Sequence, residues 1–147
     1  MICAIVLLSG LAPGIGFFAL LTILFVAPWL LVQLVLAALR PRRWRDLGTK
    51  VAALAATAAV LAAAHAIYAQ RAHAAADEAR QAVLDFHATH AAWPRTLEEA
   101  GLHDADRMRR WRVRYLGDGN LMYSSTFDMF DRWYRAPGDA QWIFHPD

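Results

Sequence analysis

Three groups of side chains in this sequence have types and spacings that could support chemistry. His87 and His90 lie three apart, with His103 further on. Two histidines on one helical face can bind zinc, but the hydrolytic arrangement spaces them by four with a glutamate between, and Ala88 and Thr89 stand here instead. Ser124, Ser125, Asp128, Asp131 and His145 are the residue types of a hydrolytic set, yet no nucleophile elbow or glycine-rich oxyanion loop accompanies them. The third group is Arg107, Arg109, Arg110, Arg112 and Arg114. His65 lies in an apolar run with no carboxylate beside it, which leaves a proton relay without its second member. Phosphate-loop and dinucleotide fingerprints are missing. The expectation is a non-enzymatic protein with no catalytic residue, no metal ligand, no cofactor and no small-molecule substrate.

The arginines carry the remaining functional signal. Nucleic-acid contact would need a basic face with stacking aromatics. In Arg110-Trp111-Arg112-Val113-Arg114-Tyr115 the arginines alternate with Trp111, Val113 and Tyr115, which predicts a half-buried strand with the two kinds on opposite faces. One reading is a solvated sheet face paired with Asp104, Asp106 and Asp118. The sharper reading is a docking surface for an acidic partner, with Arg110, Arg112, Arg114, Trp133 and Trp142 as the candidate partner-binding residues.

The elements that must position these residues begin in a membrane. The chain has 147 residues, and nothing charged precedes Arg40. Residues 15–39 form 25 uncharged positions, sixteen of them Leu, Ile, Val or Phe. At 1.5 Å per residue they cover a bilayer core of ~30 Å, and they favour insertion by roughly 5 to 10 kcal/mol before the polar positions subtract. Pro28 is expected to kink this first transmembrane helix. Residues 1–14 are a shorter apolar segment without the basic start of a signal peptide, and Cys3 in it reads as a buried or lipid-facing thiol. Residues 51–69 form a second, alanine-rich span with five Leu, Ile or Val residues; its small side chains suit close packing against the first. Between them, residues 40–50 form a basic loop in which Arg40, Arg42, Arg43, Arg45 and Lys50 face only Asp46. Such a loop stays cytoplasmic and sets topology, placing residues 70–147 in the periplasm of a bacterial inner membrane. Ten arginines face twelve carboxylates in that last part. The pI of about 9.0 therefore reports a loop and gives no reason to expect nucleic acid.

Helical periodicity continues past the membrane. Tyr68, Ala72, Ala75, Ala79, Val83, Phe86 and His90 make an apolar stripe, so one helix is predicted from Thr49 to Thr89, ended by Trp93-Pro94. Thr96-Leu97-Glu98-Glu99 predicts a short capped helix closed by Gly101. A hairpin turns at Gly117-Asp118-Gly119-Asn120, with a return strand from Leu121 to Thr126. A second runs from Asp131 to Ala136 and from Gln141 to His145 around Pro137-Gly138-Asp139, with Trp142 and Phe144 on one side. The expected fold class is an α+β membrane protein: two transmembrane helices, the second continuing into a long amphipathic helix packed on a small antiparallel sheet.

The run FHATHAAWPRTLEEAGL, placed between that helix and the strands, resembles type IV pilins and type II secretion pseudopilins, with Phe86, Trp93, Pro94, Leu97 and Leu102 matching their pattern. The resemblance covers about residues 50 to 145 and implies a pilin-like fold and a structural role in a secretion or pilus machine. Gly48-Thr49-Lys50-Val51-Ala52-Ala53 has neither the aromatic nor the glutamate of a prepilin cleavage site. The favoured expectation is therefore an inner-membrane protein presenting a small periplasmic interaction domain, as an accessory subunit of an envelope complex or an immunity-type protein, with the bilayer and a protein as partners.

Overall fold

The computed structural model describes residues 24, 28, 29, 31–35, 44–124 and 131–146. The chain forms two compact units, Met1–Ala66 and Ile67–Asp147. Helix α1 spans Trp44–His90, five residues earlier than the stripe predicts. The helix thus begins ahead of the apolar stripe, so Arg45 and Lys50 lie on it and not in a loop. Arg40, Arg42 and Arg43, like Cys3, fall outside the described residues. So does most of 15–39, where the described positions are helical.

In the first unit Leu47, Thr57, Leu61 and His65 are buried on one side of α1, while Trp44, Val51 and Val60 are exposed. The Thr57 hydroxyl donates to the carbonyl of Ala53 at 2.8 Å, which satisfies it without water. Lys50 Nζ lies 5.7 Å over the Trp29 ring. Helix α1 is long and apolar enough to cross a membrane.

The second unit pairs the end of α1 with four antiparallel strands: β1 (Val113–Gly117), β2 (Asn120–Ser124), β3 (Arg132–Arg135) and β4 (Ile143–His145), in that spatial order. Ala72, Ala75, Ala76 and Ala79 have no exposed surface, and Val83 continues their face. Against it pack Met108, Val113, Leu121, Tyr123 and Trp142. The methyl-sized helix face leaves volume that the sheet's larger side chains, Tyr123 and Trp142 among them, fill. The architecture is thus α+β, as the periodicities predict.

Two local expectations are corrected. Thr96–Gly101 makes one turn and no helix: Thr96 Oγ accepts the Glu99 N–H at 3.2 Å, and Leu102 N–H closes onto Leu97 O at 3.0 Å beside Gly101 at φ +88°. And Arg110 is not in a strand. Ala105–Arg110 forms helix α2, capped by Asp104, whose Oδ1 accepts the Arg107 N–H at 2.9 Å. Acid in its first turn and arginines in its last complement the helix dipole. Arg112, at φ +52°, turns the chain out of α2, and β1 starts at Val113.

The β1–β2 turn is held by shape. Asp118 and Gly119 both have positive φ, the geometry that matches a hairpin's twist. A Cβ on Gly119 would lie 2.5 Å from Pro137 Cγ and 2.8 Å from the Trp93 ring, and that ring in turn stacks on His87 at 3.7 Å. Gly119→Ala is therefore expected to destabilise the domain by about 1 to 3 kcal/mol in denaturant unfolding. Gly138→Ala, with open space and no positive φ, should stay within about 0.5 kcal/mol.

Candidate functional site

The end of α2, the turn after Pro94 and the outer face of the sheet surround a groove of about 710 Å³. Arg95, Arg109, Arg112, Arg114 and Arg132 line it, with Glu98 as its one carboxylate among the described residues. Each arginine is placed by a different device. Arg95 follows the Trp93-Pro94 turn. Arg109 is on the last turn of α2, and Arg112 occupies the left-handed residue that ends it. Arg114 is on the solvent face of β1, opposite Met122, and Arg132 pairs with Ser124 across β2 and β3. Arg109 spends one nitrogen on Asp106 at 2.9 Å. Arg95, Arg112 and Arg114 have no carboxylate within ion-pair distance among the described residues. Leu97, Leu102, Met108, Val113 and Met122 add apolar lining. Guanidinium groups stay charged at any physiological pH and bind carboxylates in a bidentate fork. The groove can therefore hold an anion whose carrier also offers apolar contact.

A second constellation ties α1 to the sheet. Asp77 accepts the indole N–H of Trp142 at 2.8 Å, lies 3.5 Å from Arg135 Nη1, and sits 3.3 Å from His73 Nε2. His73 Nδ1 is 3.1 Å from the Tyr123 hydroxyl. Arg135 is stacked over Trp142 at 5.9 Å and donates to the carbonyls of Asp139 and Ala140, which fixes the β3–β4 turn. Burial, with the Asp77 charge second, pushes the Tyr123 phenol up to about 12. Asp77, His73 and Tyr123 thus form a chain that ties α1 to β2.

The expected partner-binding residues divide. Arg112 and Arg114 line the groove. Arg110 faces another cavity, because α2 replaces the predicted strand. Trp133 is half-buried, stacked on Tyr123 at 6.2 Å and tilted against Phe144 at 5.0 Å. Trp142 is 7% exposed and belongs to the core. Among the histidines, His87 stacks on Trp93, and His90 stacks on Phe86 and bonds its carbonyl at 3.0 Å. Ser124 and His145 flank Arg132 on either side, two strand spacings or about 9 to 10 Å apart. Ser125 and Asp128 lie outside the described residues. Sequence reasoning missed Arg95 and Arg132 as members of the groove, since only the register and the Pro94 turn bring them there. It also missed α2, for which Asp104 as cap was the available signal.

Two outcomes follow from the Asp77 tie. Asp77→Ala should destabilise the domain by about 1 to 3 kcal/mol, because Trp142 and Arg135 keep their donors and lose the acceptor; Asp85→Ala, exposed on the same helix, should stay within about 0.5 kcal/mol. The raised Tyr123 phenol stabilises the fold fully below its ordinary value of 10.0, and that contribution is lost as pH climbs toward about 12. Alkaline unfolding should therefore fall more steeply across this window in the wild type than in Tyr123→Phe, with a late tyrosinate absorbance step missing from the variant.

No family model, no curated protein and no solved structure matches this chain.

Proposed function

We propose that the chain is a non-enzymatic inner-membrane protein that presents residues 70–147 in the periplasm as a small interaction domain. Its groove takes an acidic segment of a partner protein. The observation that supports this reading is the excess of five arginines over one carboxylate around a single groove, with three of the five left without an acidic partner among the described residues. Like charges gathered around one exposed groove repel one another, and an anion seated among them would relieve that repulsion and complement their charge. The apolar lining favours a peptide over a bare ion. An accessory subunit of an envelope complex and an immunity-type protein both use a domain of this kind. The apolar run of α1 anchors it, and the basic residues before that run keep their end cytoplasmic.

Crosslinking from β1 in cells, followed by identification of the captured protein, tests the reading directly. The doubly reversed variant Arg112→Glu, Arg114→Glu should weaken capture roughly a hundredfold or more, while its unfolding curve stays at the wild-type position because both side chains are exposed. Undiminished capture of the same partner would remove the groove from the account.

A further inference from the structure

We infer that a second cavity, between α1 and α2, binds the phosphate of an anionic phospholipid headgroup. It measures about 440 Å³ and is lined by Arg71 and Ala74 of α1, by Arg107, Arg110 and Asp106 of α2, and by Asp104 and Trp111 at the two ends of α2. Most of its charges are already engaged. Arg107 is 2.8 Å from Glu78, Asp106 is 2.9 Å from Arg109, and Asp104 caps α2. Arg71 and Arg110 remain, both exposed and both without a carboxylate at ion-pair distance among the described residues. Two unengaged guanidiniums over one cavity form a site for an oxyanion that can take paired N–H donors, as a phosphate diester does.

The position along α1 identifies the source of that phosphate. The inference rests on the reading that the apolar run 51–69 of α1 crosses the bilayer. Arg71 follows the end of that run by two residues, about 3 Å along the axis. Tyr68, one residue before its end, has its ring 6.1 Å from that of Trp111 at 47°. Tyr and Trp with an apolar body and a polar edge favour headgroup depth, and arginines just outside the hydrocarbon attract anionic lipids. Two aromatics and two free arginines thus meet at the depth where lipid phosphates lie. The acidic partner proposed for the first groove plays no part here: the two cavities are lined by different arginines.

Native mass spectrometry of the full chain in detergent, with added phosphatidylglycerol or phosphatidylcholine, tests the inference. Retention of phosphatidylglycerol in preference to phosphatidylcholine is expected. Arg71→Gln and Arg110→Gln should each reduce it by about fivefold, and the double variant by roughly twentyfold to thirtyfold. The lysine pair Arg71→Lys, Arg110→Lys keeps the charge and should recover most of the preference. Equal retention of the two lipids, or an unchanged preference in the double Gln variant, would overturn the site. Inorganic phosphate competing as well as the lipid would also overturn it, as a site for a free anion. The membrane reading is checked separately by alkaline carbonate extraction and by labelling of Arg43→Cys, with Cys3 replaced, from outside the cell. Extraction from the membrane, or outside labelling, would defeat that reading whatever the lipid result.

Discussion

A helix face built of alanines forms a core only if bulky side chains stand opposite it, and the second unit depends on that complement. Ala72, Ala75, Ala76 and Ala79 present nothing larger than a methyl group and are wholly buried. The volume they leave is filled from the other side by Leu121, Tyr123, Trp142 and their neighbours. Beside that packing, Asp77 on the same helix bonds directly to the Trp142 indole and lies next to Arg135. Substituting a larger residue for any of these alanines would push the sheet away and break that tie as well as the packing. The aromatic content of so small a domain has the same origin: a core with an alanine floor needs bulky residues opposite it.

The inward use of the aromatics leaves arginine as the main charged side chain around the groove. Once Trp142 and Tyr123 are committed to the core, and Trp133 to stacking on Tyr123, the surfaces around them are left to long polar side chains. Arginine covers apolar surface with its stem while its head stays in water, so Arg114 can lie over Met122 and still present a charge to the groove. Arg135 shows the other use of the same residue. With its side chain 13% exposed, it is spent on Asp77, on the Trp142 ring and on two turn carbonyls, and offers nothing to a partner.

How much of this was readable in the sequence follows the range of each signal. The stripe from Tyr68 to Val83, the two hairpins and the pairing of Trp142 with Phe144 on one side are periodicities, and periodicity is local. The Asp118-Gly119 turn is equally local. Arg95 and Arg132 could not be assigned to the groove in that way, because the strand register and the turn at Pro94 bring them to it. Nor could Asp77 be matched to Trp142, which lies 65 residues further along the chain. The miss at Arg110 has a different cause. Three alternating residues satisfy a strand pattern by chance, while Met108 and Trp111, three apart, satisfy a helix equally well. The cap at Asp104 decides between them.

That decision determines what the arginine cluster can do. As a strand from Arg110, the segment would have placed Arg110, Arg112 and Arg114 on one face, a single basic stripe. Because the chain stays helical to Arg110 and turns at Arg112 through a positive φ, successive residues are rotated by about 100° as far as Arg110 and alternate between faces from β1 onward. Arg109, Arg112 and Arg114 then converge on one groove with Arg95 and Arg132, while Arg107 and Arg110 turn to the other cavity with Arg71. Among the described residues the first set has one carboxylate in its lining and three arginines without an acid at ion-pair distance. The second has Asp104 and Asp106 in its lining, with Arg107 engaged by Glu78 and Arg71 and Arg110 without an acid among the described residues. One helix terminus thus divides a basic patch into two surfaces with different charge balance and different apolar surroundings.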